Sequence, residues 1–127
     1  MTWDAARAAC QGQSQINGDL ASVPDEATNE FLKSLGIGFI GGHLDSNGDW
    51  AWSDGTPWGY TSWSSGNPSR TDGTGAVRLK NVGWDDLNPE FLRKYICQHQ
   101  NVKTVAGKHL KINFKKNKDN HHLETVL

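Results

Sequence analysis

A chain of 127 residues, 35% hydrophobic and with a formal net charge of −1, has room for one domain of ordinary size and no overall surplus that calls for nucleic acid or an anionic surface as partner. No run approaches the ~20 apolar residues that span a bilayer, so no membrane insertion is expected, and Met1-Thr2-Trp3-Asp4 lack the basic start and apolar core of a signal. Six tryptophans and four phenylalanines bring large apolar area per residue, which makes aromatics the expected core.

The net charge hides a split. Residues 1–98 carry seven Lys/Arg against twelve Asp/Glu, a net of −5, whereas residues 99–127 carry six lysines against Asp119 and Glu124, a net of +4. All six tryptophans lie before that boundary. The expected division is a folded domain over 1–98 and a basic, flexible tail over 99–127.

The first element reads as a short helix, with Thr2 as N-cap, Asp4 in the first turn, four alanines over 5–9, and Trp3, Ala6 and Cys10 on one face. Asp19–Val23 reads as a brief extended piece. Pro24-Asp25-Glu26 opens a second helix with Ala27, Phe31, Leu32 and Leu35 on its apolar face and Gly36 at its end. From residue 37 the pattern changes: Phe39–Gly42 and Trp50–Ser53 flank the turn residues Asp45–Asp49 and read as a hairpin-like pair. Residues 53–76 hold five glycines with further aromatics and little periodicity, which reads as a long ordered loop. Two late strands, Ala76–Leu79 and Tyr95–Gln98, have Gly83-Trp84-Asp85-Asp86 in the turn region between them. Cys10 and Cys97 stand near the two ends of the folded part and read either as a bridge or as two buried thiols.

In their joint order these pieces resemble a C-type lectin domain that lacks its first strand. Trp3, Ala6 and Cys10, then Gly18-Asp19-Leu20-Ala21, Phe31-Leu32 and Phe39-Ile40-Gly41 follow the family pattern. Gly48-Asp49-Trp50-Ala51-Trp52-Ser53-Asp54-Gly55 matches its Gly-x-Trp-x-Trp-x-Asp-Gly segment in full, and Tyr60, Trp63, Gly66-Asn67-Pro68, Trp84-Asp85-Asp86 and Tyr95-Ile96-Cys97 complete it. The resemblance implies an α+β, C-type lectin-like fold, with two helices packed on small antiparallel sheets and a long ordered loop. It also implies a Cys10–Cys97 disulfide and an extracellular, secreted parent protein. The family's inner bridge would fall at Ala76 and Pro89, and both partners are absent together.

The family's sugar site is a calcium ion whose ligands also bond vicinal sugar hydroxyls, and calcium asks for six to eight oxygens at once. By resemblance the metal ligands would be Asn67, Asp72, Asp85 and Asp86, and a glycan would meet Asn67, Ser69, Asp85, Asp86 and Trp63. The triplet here is Asn67-Pro68-Ser69, and a nearby family glutamate is replaced at about Thr74, so the ligand set is altered. The competing reading has Asp85 and Asp86 bonding the loop backbone, and Trp58, Tyr60 and Trp63 packing in the core and loop.

The implied function is a carbohydrate-binding domain for a glycan or glycoprotein, calcium-dependent through a degenerate site. The alternative is a calcium-independent domain of the same fold that binds protein or another non-sugar ligand. No nucleophile and base grouping argues for an enzyme. In the tail, Glu124-Thr125-Val126-Leu127 resembles a PDZ-domain ligand, and His121-His122 lack the further fixed ligands a metal site needs.

Overall fold

A computed structural model describes residues 1–12, 18–101, 111–116 and 120–126, with side chains described up to Gln98. Helix α1 spans Trp3–Gly12. The Thr2 hydroxyl accepts from the Ala5 amide at 3.2 Å, which satisfies one of the amides the first turn leaves without a partner. Trp3, Ala6 and Cys10 form its buried face, as the spacing requires. Strand β1 is Gly18–Leu20, shorter than the extended piece read from sequence.

Helix α2 spans Glu26–Leu35. Asp25 caps it by accepting from the Thr28 amide at 2.8 Å, and Gly36 ends it with φ of 140°, a conformation that an L side chain resists. Its inner face departs from the apolar pattern. Phe31 is exposed and Asn29 is buried in its stead, because the Asn29 side-chain oxygen accepts from the Trp84 indole N–H at 2.8 Å while its amide nitrogen donates to Ser62. An interior tryptophan needs an acceptor for that N–H, and the helix supplies it.

Strands β2 (Gly38–Leu44) and β3 (Trp50–Trp52) form the expected hairpin, with Gly42 opposite Trp52 and Leu44 opposite Trp50. Strand β4 is Ala76–Leu79. Strand β5, Asp85–Leu87, pairs antiparallel with it in the region read from sequence as a turn. Strand β6 runs Tyr95–Asn101 and is followed by β7 (Lys111–Lys116) and β8 (Asn120–Val126).

These strands make one mixed sheet in the order β5-β4-β2-β6-β8-β7, with β1 beside β6 and β3 beside β2. The β2–β6 and β6–β8 pairings are parallel, so the sheet is not purely antiparallel. Two buried clusters fill the interior. One gathers Ala21, Val23, Leu32, Ile40, Trp52, Val77, Leu79, Trp84 and Ile96. The other, around Trp3, Leu20 and Phe39, contains the Cys10–Cys97 disulfide, which joins α1 to β6 across 87 residues of sequence.

Candidate functional site

The segment between β3 and β4 is threaded by tryptophans and tied by polar bonds. Trp63 bridges to Trp84, and Trp50, Trp58, Tyr60 and Trp63 pack half-buried against the core cluster. Trp63 lies 5.0 Å from Trp50 and 5.7 Å from Trp84 between ring centroids, so it packs against other tryptophans. Trp52 carries the one buried side-chain polar atom without a hydrogen-bond partner among the described residues, its indole N–H.

The candidate ligands read from the sequence lie on or beside this loop, each with an internal partner. Asp86, 5% exposed, accepts from the Ser69 amide (2.8 Å) with one oxygen and from the Arg70 amide (2.8 Å) with the other. The Ser69 hydroxyl leans on the same carboxylate at 3.4 Å. Asp85 faces Arg78 in the β4–β5 register; the guanidinium Nε donates to it at 3.0 Å and Nη2 donates to its second oxygen. Lys80 adds its ammonium 3.5 Å from that same oxygen. Asn67 donates to the Ser64 hydroxyl at 2.8 Å and precedes a cis peptide bond to Pro68.

Asp72 accepts from the Thr74 amide (3.0 Å), the Thr74 hydroxyl (2.9 Å) and the Arg70 guanidinium (2.6 Å). The Thr74 bonds, and then the Arg70 charge, hold its carboxyl below the ordinary range, because each favours the ionised form.

A calcium ion needs several of these oxygens turned toward one point. Here Asp85 is neutralised by two cations and Asp72 by a third, and both oxygens of Asp86 receive backbone amides. Among the described residues, no group of three or more His, Cys, Asp or Glu could hold a metal ion. In this arrangement each candidate carboxylate already has partners within the chain. Arg70, Arg78 and Lys80 were the participants sequence reasoning missed. Their signal lay in the pairing: once 85–87 is a strand against 76–79, Arg78 falls opposite Asp85.

The lectin C-type domain family model matches residues 1–99, and the chain belongs to that family. It is 32% identical over 103 residues to a type-2 ice-structuring protein of Hemitripterus americanus, covering 76% of this chain and 61% of that protein; it thus spans about three fifths of that relative. Among solved structures it resembles the C-type lectin CEL-I from Cucumaria echinata, at 28% identity and a TM-score of 0.64, covering 75% of this chain and 80% of that one. It also resembles a calcium-independent type II antifreeze protein, at 30% identity and a TM-score of 0.60, covering 75% of each.

In the tail, Glu124–Val126 lie in β8 with β6 on one side and β7 on the other; Leu127 lies outside the described residues.

Proposed function

We propose that this chain is a calcium-independent C-type lectin-like binding module, extracellular in its parent protein, that recognises a protein or another non-sugar ligand. The observation that supports this reading is the Arg78–Asp85 pair, reinforced by Lys80: a carboxylate that could have been offered to an ion is already held by two cations of the same chain. Arginine presents a planar fork that matches a carboxylate bidentately, and it stays charged at any working pH. The loop is then shaped by internal cations, with no requirement for ions from solution. Relatives of the same fold include a calcium-independent protein, so the scaffold supports this mode. A vicinal diol competes poorly with water unless a cation and its ligands present a rigid set of acceptors and donors, which disfavours the calcium-dependent glycan reading.

The test is a calcium titration by calorimetry on the oxidised chain, paired with thermal melts in calcium and in chelator and a glycan array under both conditions. The expected outcome is no saturable calcium heat, superimposable melts, and no glycan signal that chelator removes. Saturable calcium binding that Asp86→Asn abolishes would overturn the proposal.

A further inference from the structure

Of the seven Lys and Arg residues in 1–98, five reach a carboxylate: Arg7 with Asp19, Lys33 with Glu30, Arg70 with Asp72, and Arg78 and Lys80 with Asp85. Arg93 and Lys94 have no carboxylate within ion-pair distance among the described residues. They follow Phe91 and Leu92, which are 46% and 72% exposed. The Arg93 guanidinium lies over the Phe91 ring at 5.3 Å. One more exposed apolar residue adjoins them: Ile37 (46%), next to Gly38, where an added Cβ would lie 2.7 Å from the Lys94 carbonyl.

The sheet register brings further positive charge to this edge. Ile96 pairs with His121, which pairs with Lys116, and the next row runs Cys97, His122, Lys115. Lys115 and Lys116 therefore stand two strand spacings, ~10 Å, from the start of β6. Among the described residues, an acidic domain thus sets two cations without a carboxylate partner, Arg93 and Lys94, directly after its exposed consecutive apolar pair.

We propose that the Phe91–Lys94 turn is a peripheral docking surface for a membrane whose outward-facing leaflet carries anionic phospholipid. The apolar tips of Phe91 and Leu92 enter the boundary between headgroups and acyl chains, and Arg93 and Lys94 meet the headgroup charges. A sulfated polysaccharide or another soluble polyanion would use the cations and gain nothing from exposed Phe91 and Leu92, so the combination selects a lipid surface. The contact lies on the membrane face and needs no spanning helix; none among the described residues is long and apolar enough to be one. It uses no residue of the Asn67–Asp86 site, so its outcome is independent of the calcium question.

The test is co-sedimentation of the full oxidised chain with vesicles of phosphatidylcholine alone or with about a third phosphatidylserine, at low and physiological salt. Pelleting is expected with the anionic vesicles only. Arg93→Ala with Lys94→Ala should weaken partitioning about 25-fold, since each cation near the surface contributes about fivefold. Phe91→Ser with Leu92→Ser should weaken it at least about tenfold through lost apolar burial. Leu92→Ser alone, at the most exposed of these positions, covers the case in which the double variant misfolds, as a thermal melt would reveal. No pelleting with anionic vesicles overturns the proposal. So does binding that Leu92→Ser leaves unchanged and soluble heparin abolishes, which would make the site a polyanion site.

Discussion

The sheet core and the long loop are held by different chemistry. In the core, Leu20, Phe39, Ile40, Ile96 and Trp84 are fully buried and stabilise by excluding water, at about 1.5–3 kcal/mol for each large side chain. Around the loop, Asp54 and Asp72 within it and Asp85 and Asp86 of β5 each collect two or more donors, and order comes from directed bonds. Burial tolerates exchanges of similar volume. Directed bonds do not, because removing one partner leaves the other unsatisfied. The fold can thus persist while the loop changes its function.

Breaking the disulfide attacks the core side of this contrast most directly. Cys10→Ala with Cys97→Ala frees a loop of 87 residues, and the loop-entropy estimate puts the loss at about 4–5 kcal/mol. Chemical denaturation would show a large fall in midpoint, and peptide mapping without reductant should recover the joined Cys10 and Cys97 peptides from the oxidised chain. A smaller and more local loss is expected from Asp86→Ala, about 1–3 kcal/mol, because the Ser69 and Arg70 amides lose their acceptor. Hydrogen exchange should quicken at those two amides before it does in β2 or β6. Equal quickening throughout would mean that loop and core form one cooperative unit.

Acid should separate the two regions further. Asp72 and Asp25 both have carboxyl groups held below the ordinary value of about 3.8 by hydrogen bonds from Thr74 and Thr28 respectively. Their contribution is therefore complete above that value and is lost as pH falls through the lower folded value. Protection of the Thr28 and Thr74 amides should decline below about pH 4, while amides of the core strands hold. The least effect is expected from ending the chain after Asn101. We propose 1–98 as the folding unit, with 99–127 an attached segment, and a cooperative melt surviving the truncation would bear on that boundary.

Much of the fold was legible because periodicity and punctuation act locally. Thr2, Asp25 and Gly36 mark helix ends by their own chemistry, and Trp3, Ala6 and Cys10 keep helical spacing. Strand β5 escaped because Asp85-Asp86 is a poor strand sequence in isolation; it forms because Arg78 lies opposite. Asn29 escaped for the same kind of reason, its burial depending on an indole 55 residues away. The carboxylates of the candidate site could be listed from sequence, but not their partners. A carboxylate facing an arginine and one facing an ion read alike until strand register decides which neighbour it has.

The crowding of indoles around Trp63 has an optical consequence. Trp50, Trp58, Trp63 and Trp84 are linked by centroid separations of 5.0 to 6.3 Å, close enough for their electronic transitions to couple. Trp58 and Trp63 belong to the loop, Trp50 to β3, and Trp84 sits in the core, so the couplings of Trp50 and Trp84 to the loop indoles exist while the loop lies against the sheet. Near-ultraviolet circular dichroism should therefore carry a built-in signature of loop docking. Ligand capture, acid or Asp86→Ala could each be followed through that signal without attaching a label.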